Sequence, residues 1–435
     1  MRRRARFRRV LALLLAVGGG CHGRSVATPA ADGRAGDIAM LVQELEQKHP
    51  RFQASPALRA HLEQAAAALA QRAAGLSEDR FLIELLKLIR LASASGEDGH
   101  TGCFPLSPRQ PRLQAFPLRL YWFDDGPFVT AAAPEHADLI GAELLAVGRA
   151  DAARLRSTIE PLVPRDNEMT PLVVLPAYAV TAQILHGLDL IDDERAARLT
   201  FRLPGGRVVA RTLRAEPARA FRAGEGHPAL LPPRPGLSYE RIVTHHFWHT
   251  RLEDRGAYFV QYNRSLATDP RGDTLARWSA ELFGELAATR ARRVVLDLRH
   301  NIGGDNTAYA SLLEPLVRWS AAPGHHLVVL IGRGVFSAGM NLATQLKQRT
   351  RATFVGEDTA GSLNHHGDGA PFLLPATQLR CQVSTRYWRM DAGAGRARPL
   401  SPDVRVGLRS ADYFSGRDPI LAQALALPAG VTLPP

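Results

Sequence analysis

Two short apolar segments in the last third of the chain constrain its fold more than any other feature. The segments RVVLDLR and HLVVLIG each carry a run of adjacent apolar residues, and each leads through a glycine-containing loop into a helical pattern. A strand that is apolar on both sides is buried on both faces of its sheet, and strands that alternate with helices build a parallel sheet covered by helices. The sequence therefore predicts an α/β fold with a layered domain at residues 239–435.

Changes in composition and periodicity divide the remainder of the chain. Its 435 residues exceed the length that one hydrophobic core usually serves, so several units are expected. The predicted units are a signal segment at 1–21, a tether at 22–36, a helical unit at 37–111, a β/α region at 112–215, a Pro/Gly-rich linker at 216–238 and the layered domain at 239–435.

Local signals mark the ends of several elements. Ser55, which precedes a proline, and Ser77 are predicted helix N-caps, and Asp273 is predicted to cap a helix of the last domain. Asp418, again before a proline, is predicted to open the final helix. The adjacent glycines at 205–206 predict the turn of a hairpin.

The first residues read MRRRARFRRVLALLLAVGGGC, a basic stretch followed by an apolar stretch, small residues and Cys21. This pattern resembles a bacterial lipoprotein signal, in which Cys21 would be acylated, and the paired arginines leave a twin-arginine export route open. The apolar stretch at 10–17 is too short to span a bilayer. We expect an exported protein of the bacterial cell envelope, either periplasmic or anchored to the membrane as a lipoprotein.

The net charge and the cysteine content limit the kinds of partner and compartment that the sequence predicts. The net charge of +12 includes six arginines of the signal, so +6 remains without them. This moderate excess is compatible with solubility or with anionic membranes, and it does not predict nucleic-acid binding. Cys103 and Cys381 would be the two cysteines left after lipidation, and an oxidising compartment would allow them to pair. The sequence alone does not decide whether they meet.

Two motifs of the last domain suggest chemistry. The loop DLRHNIGGDN brings Gly303 and Gly304 directly after a buried strand, where backbone N–H groups can approach a developing oxyanion, although a tight turn explains the same pair. Ser337 stands in GVFSAGMN at a strand-to-helix turn, which suits both an N-cap and a nucleophile beside a helix N-terminus.

A histidine-rich segment, HHFWH, raises the question of a metal site. On a strand, His245 and His249 share one face but lie about 13 Å apart at ~3.3 Å per residue, which is too far for one ion. We expect neither a metal nor a cofactor.

Several motifs in order resemble one family. VVLDLRHNIGGDN and FSAGMNLATQLKQRTRATFVGEDTAG resemble the catalytic core of the carboxyl-terminal processing, or tail-specific, serine proteases, and PLSPDVRV and EDGHTG also match its patterns. The resemblance runs from about Asp37 to Leu425. It implies a Clp-protease/crotonase-like layered β/α catalytic domain preceded by the helical unit and a PDZ-like or related β/α region at 112–215.

The resemblance also narrows the choice of catalytic base. Many relatives carry a lysine where this chain has Ser362, and Lys347 would lie roughly 15 Å along the helix from Ser337. The chain therefore resembles the tricorn-core-like branch, which lacks the catalytic lysine and uses a histidine that matches His100. Because Gly99 replaces the serine before that histidine, the orienting group is open among three candidates. These are Asp98, Glu97 and Glu357.

The remaining site residues follow from the same resemblance. The oxyanion donors would be backbone N–H groups of Gly303 or Gly304 and of Ala338, and the loop GSLNHHGDG would place Asn364 or Asp368 at the substrate. We expect an exported serine peptidase that hydrolyses peptide bonds of protein or peptide substrates. The alternatives are an inactive peptide- or ligand-binding lipoprotein of the same fold and an acyl-CoA enzyme of crotonase type, for which no nucleotide-binding element is evident.

Overall fold

The computed structural model of the protein describes residues 31–104, 113–217, 231, 241 and 244–428. The predicted signal, Cys21 and most of the linker lie outside these residues. Within the described part, no helix combines the length and the apolar character that crossing a membrane requires.

The described residues form twelve α-helices and sixteen strands. The α-helices are α1 (Ala31–Lys48), α2 (Pro50–Ala54), α3 (Pro56–Arg72), α4 (Glu78–Ile89), α5 (Ala152–Ile159), α6 (Thr170–Tyr178), α7 (Ala182–Gly187), α8 (Leu275–Ala288), α9 (Ala310–Ser320), α10 (Ala338–Arg349), α11 (Ser410–Phe414) and α12 (Pro419–Ala426). The strands are β1 (Gln114–Ala115), β2 (Leu118–Phe123), β3 (Gly126–Ala132), β4 (Glu143–Val147), β5 (Ala150–Asp151), β6 (Ala196–Arg202), β7 (Val208–Arg214), β8 (Glu216–Pro217), β9 (Phe247–Leu252), β10 (Ala257–Tyr262), β11 (Arg293–Asp297), β12 (His326–Ile331), β13 (Thr353–Gly356), β14 (Asn364–Leu373), β15 (Arg380–Arg389) and β16 (Val404–Arg405).

The first four helices, α1 to α4, lie in the region 37–111 or reach into it from Ala31. The hydroxyl of Ser55 accepts a hydrogen bond from the N–H of Leu58, and that of Ser77 accepts one from Arg80, so both predicted N-caps are confirmed. Helix α4 carries seven buried residues, and α1 buries Leu41 and Leu45 completely. The unit is held by this apolar contact rather than by its short connecting turns.

The middle region is a mostly antiparallel sheet with helices α5, α6 and α7. Its strands follow the order β2-β3-β4-β6-β7, and β5 pairs with β4. Strands β6 and β7 form the predicted hairpin, and both Gly205 and Gly206 adopt positive φ values that favour glycine at the turn. The apolar residues of this region belong to the same core as helices α1–α4, so the two regions pack as one unit.

The last domain is built on a six-stranded sheet in the order β16-β13-β12-β11-β10-β9, in which only β9 is antiparallel to its neighbour. Adjacent residues of β11 face opposite layers: Val294 and Leu296 pack with helices α8, α9 and α10, whereas Val295 packs with α12. The predicted sheet buried on both faces is confirmed, and with it the layered α/β fold.

The caps of this domain agree with the sequence in one case and differ in the other. The carboxylate of Asp418 accepts a hydrogen bond from Leu421 at the start of α12, as predicted. The prediction for Asp273 is wrong, because α8 is capped by the hydroxyl of Thr274, which accepts from Arg277. Asp273 instead pairs with Arg271 and Arg277.

The antiparallel hairpin β14–β15 leaves the last domain and packs on the first. Its residues Leu374, Leu379 and Val383 are buried in the core of the helical unit. A disulfide joins Cys103 to Cys381 on β15, with 4.0 Å between the Cα atoms. The disulfide thereby holds together residues that are 278 positions apart in the sequence.

Candidate active site

Ser337 lies at the turn between β12 and α10, with a strained backbone. Its φ of 52° and ψ of −129° are unusual for a residue other than glycine. Although it occupies the N-cap position, its side chain forms no capping hydrogen bond. The hydroxyl is partly exposed and is not engaged as a cap, which leaves it available at the positive end of the helix.

The glycine loop after β11 lies directly against this turn. A Cβ atom on Gly303, whose φ is +99°, would stand 2.5 Å from Cβ of Ser337 and 2.8 Å from the nitrogen of Ala338. Asn301 fastens the loop, since its carbonyl accepts from the N–H of Phe336. The backbone of the loop therefore approaches Ser337 at a distance that only glycine permits.

The two predicted glycine donors differ in their present bonding. The N–H of Gly303 donates to Oδ1 of Asn301 at 3.0 Å. Within the described residues, the N–H groups of Gly304 and Ala338 have no acceptor. Gly304 and Ala338 therefore offer unshared N–H groups beside Ser337, whereas Gly303 provides the close approach.

The early loop that carries His100 meets the same turn. The His100 and Phe336 rings stack with centroids 4.4 Å apart, and a Cβ atom on Gly99 would stand 2.9 Å from Cζ of Phe336. Phe336 immediately precedes Ser337, so the loop of His100 packs against the turn that carries the serine. Neither ring nitrogen of His100 has a hydrogen-bond partner of good geometry among the described residues.

Burial controls the protonation of His100. Desolvation lowers the pKa of His100, and it outweighs the opposite effects of the Asp98 carboxylate and of the His366 backbone, which faces the ring short of hydrogen-bond geometry. The neutral ring is the form that can accept a proton from a serine hydroxyl.

Asp98 organises the loop rather than the imidazole ring. Its Oδ1 accepts from the backbone N–H groups of His100 (3.1 Å) and Thr101 (2.9 Å) and from the Ser384 hydroxyl (2.8 Å). Its Oδ2 lies 2.7 Å from Nε2 of His49. Burial alone would raise the pKa of Asp98, but the hydrogen bonds of His49 and Thr101 dominate and hold it well below its usual range.

The other two orienting candidates are bonded elsewhere. The Glu97 carboxylate accepts from the Tyr387 hydroxyl at 3.2 Å, and Glu357 accepts from two guanidinium nitrogens of Arg333 at 2.5 and 3.2 Å. Among the described residues no carboxylate bonds to the ring of His100.

The segment predicted as the loop GSLNHHGDG is mostly strand β14, and it brings a second histidine to His100. The His365 ring lies nearly parallel to that of His100, with 5.9 Å between centroids, and its Nδ1 bonds to the carbonyl of Ser362 at 2.9 Å. Burial and the neighbouring His100 lower the pKa of His365 to about 4. The sequence feature that could have predicted this second histidine is the pair of adjacent histidines in GSLNHHGDG.

The two candidate substrate residues occupy different positions on this hairpin. Asn364 is buried and exchanges hydrogen bonds with the backbone of Asp391, which closes the hairpin. Asp368 is exposed and accepts from Nε1 of Trp388 at 3.3 Å. Asn364 is thus fixed by the fold, whereas Asp368 faces solvent.

The lysines lie away from the turn. Lys347 pairs with Asp403 at the far end of α10, and Lys48 and Lys87 pair with glutamates of their own helices. Ser362, at the position of the relatives' lysine, is fully buried. The described residues contain no group of three His, Cys, Asp or Glu side chains arranged to hold a metal ion.

Comparison with known proteins identifies the domain that carries Ser337. Residues 271–406 match the model of peptidase family S41. This segment, named the S41 domain after that match, is similar to the peptidases of the family. The S41 domain includes the glycine loop, Ser337 and β14–β15, whereas His100 is contributed by the helical unit outside it. No curated protein sequence matches the chain.

Solved structures share the fold over most of the chain. Mature CPAF aligns with a TM-score of 0.60 and 14% identity, covering 91% of this chain and 96% of CPAF. A CPAF point mutant aligns with a TM-score of 0.62, 14% identity and the same coverage. At this identity the likeness concerns architecture, and it extends from the S41 domain to the helical unit and the middle region.

Proposed function

We propose that the chain is an exported serine peptidase that hydrolyses peptide bonds of protein or peptide substrates. The observation that carries the proposal is the stacking of His100 on the residue before Ser337, whose hydroxyl caps no helix. The S41 domain around Ser337 supports the same reaction class.

In the proposed reaction Ser337 attacks the substrate carbonyl while His100 accepts its proton. The N–H groups of Gly304 and Ala338 stabilise the oxyanion, and His100 returns the proton to the leaving amine as the peptide C–N bond breaks. Water then hydrolyses the ester on Ser337 by the same proton transfers. No cofactor takes part in these steps.

Three finer features belong to the proposal. The enzyme is a tail-specific protease of the branch that uses histidine in place of lysine, and the region 112–215 is a PDZ-like module. The signal at 1–21 directs export to the bacterial cell envelope, where Cys21 carries a lipid anchor.

Labelling with a fluorophosphonate probe tests the nucleophile. We expect Ser337→Ala to abolish labelling and turnover, because the hydroxyl is the group that the probe modifies. Ser320→Ala is the matched control, since this serine lies on α9 and bonds only locally, to the carbonyl of Val317. Equal labelling of the Ser337→Ala variant and the wild type would refute the assignment.

The second candidate is a non-catalytic peptide-binding lipoprotein of the same fold. The unbonded ring nitrogens of His100 favour it, because no carboxylate orients the ring among the described residues. Turnover of an unstructured polypeptide such as casein separates the two functions. Turnover that is lost in His100→Ala supports the peptidase, whereas saturable binding without turnover supports the binding protein.

A further inference from the structure

A short segment of the middle region, residues 165–170, lies between the two loops that surround the candidate site. Asp166 within it is completely buried. Its Oδ1 accepts a hydrogen bond from the N–H of Gly99 at 2.5 Å, directly before His100, and its Oδ2 accepts one from the N–H of Ser362 at 3.1 Å. One carboxyl group thus binds the early loop and the loop that follows β13.

The neighbours of Asp166 strengthen the second attachment. Nδ2 of Asn167 donates to the carbonyl oxygens of Thr359 and Gly361, both at 3.1 Å. The Thr170 hydroxyl donates to the carbonyl of Ala360 at 2.8 Å. The segment is therefore fixed to the S41 domain independently of Asp166, and Asp166 transmits that fixed position to Gly99.

A buried carboxyl group is an energetically unfavourable choice for a contact whose role is only structural. A buried carboxyl group without a cation is expensive to ionise, and within the described residues Asp166 has no ion pair. Burial raises the pKa of Asp166 well above its ordinary value, although the amides of Gly99 and Ser362 act in the opposite direction. Perturbed buried groups of this kind concentrate at functional sites.

We propose that Asp166 is a positioning residue of the peptidase site, which sets the place and the burial of His100 by holding Gly99 and Ser362 at once. The inference rests on the proposed function and deepens it. Asp166 touches neither Ser337 nor the ring of His100 through a hydrogen bond, so it acts through the loop that precedes the imidazole.

The chain offers a matched control in Asp37. This residue is also completely buried, and its carboxylate also accepts from two backbone amides, those of Ala376 and Thr377. Its contacts lie at the turn between β14 and β15, away from Ser337. Asp37→Asn and Asp166→Asn therefore make the same chemical change at two places, of which only one holds the loop of His100.

The experiment compares both variants in the full chain by casein turnover, thermal unfolding and the pH profile of kcat/KM. An amide offers one acceptor oxygen, so Asp166→Asn leaves one loop N–H without an acceptor. We expect its kcat to fall by roughly 10- to 100-fold with little change in KM, since small misplacements of a reacting group cost this much. Asp37→Asn is expected to lower the unfolding temperature while keeping the wild-type kcat.

The pH profile separates positioning from general destabilisation. Loosening the loop hydrates the His100 ring, so the acid limb of Asp166→Asn is expected to move to higher pH, towards the ordinary histidine pKa of 6.5. The other ionisable groups that face this ring are Asp98 on its own loop and His365 on β14, and both variants keep them. Asp37→Asn is expected to keep the wild-type limb.

Equal kcat values and equal acid limbs for the two asparagine variants would overturn the inference. If Asp166→Asn does not fold, Asp166→Glu keeps the carboxyl group but displaces it, and a folded Asp166→Glu variant with wild-type kcat would overturn it equally. Failure of the proposed function is a separate result, because it appears as unchanged turnover in Ser337→Ala.

Discussion

At the scale of single residues, the site depends on two backbone positions in contact, a glycine and a strained serine. Gly303 and Ser337 both have positive φ, and the missing side chain of the first makes room for the second. Strain of this kind persists only where the surrounding structure enforces it, and it clusters at functional sites. The glycine is thus as specific a requirement as the serine.

Replacement of Gly303 tests this requirement. We expect Gly303→Ala to lower activity at least ~100-fold, because its Cβ would collide with Ser337 and displace the nucleophile. Gly205→Ala is the control: its φ of +95° is similar, but a Cβ there meets nothing within 4 Å. Backbone strain alone costs about 1–3 kcal/mol and is common to both variants. Comparable activity of the two purified variants would contradict the close approach.

The acid limit of activity is also set by one residue. Desolvation lowers the pKa of His100, so its neutral, proton-accepting form persists below the ordinary value of 6.5. We expect the acid limb of kcat/KM to fall below pH 6.5 and activity to decline as His100 becomes protonated. Rates measured from pH 4 to 8 check this, and an acid limb at or above 6.5 would show that the working base is better solvated.

At the scale of elements, the sequence predicts the strands that are marked by apolar runs and the helix ends that are marked by capping residues. The strands of the S41 domain and three of the four predicted caps follow from apolar runs and from Ser or Asp before a helix. The fourth was displaced by one residue, because Asp273 and Thr274 both favour the N-cap position and the structure uses the hydroxyl of Thr274.

Strand β14 shows where this reasoning fails. Its first residues, from Asn364 to Gly367, are buried but polar, because they pack against the loop of His100 rather than against an apolar layer. A strand that lines a polar site carries no apolar alternation, so the pattern resembled a loop. The contact of His365 with His100 and the hydrogen bonds of Asp98 to His49 and Ser384 could not be predicted from the sequence either, because they join distant segments.

At the scale of the whole molecule, neither propensity nor spacing predicts that the loop of His100 packs against the turn of Ser337. The assignment of His100 and Ser337 to one site came from family resemblance, and the hairpin of the S41 domain packs into the core of the helical unit that carries His100. Neither sequence pattern nor family resemblance predicts the proposed contribution of Asp166, because its segment carries no recognisable motif.

Removal of the disulfide tests the packing of the hairpin on the loop of His100. The disulfide closes a loop of 278 residues, and Nε2 of Gln382, next to Cys381, donates to the carbonyl of His100 at 2.7 Å. We expect the double change Cys103→Ser with Cys381→Ser to cost about 2–5 kcal/mol of unfolding free energy and to reduce turnover. Chemical denaturation measures the first effect. Identical unfolding curves with and without the bond would contradict its role.

The shared core of the hairpin and the helical unit also sets a condition for the proposed activity. During synthesis, the loop of His100 leaves the ribosome well before the hairpin that packs on it. Until then the helical unit lacks part of its apolar interior, and the nucleophile has no base beside it. The proposed hydrolytic activity therefore requires that this hairpin has been synthesised and has packed against the helical unit.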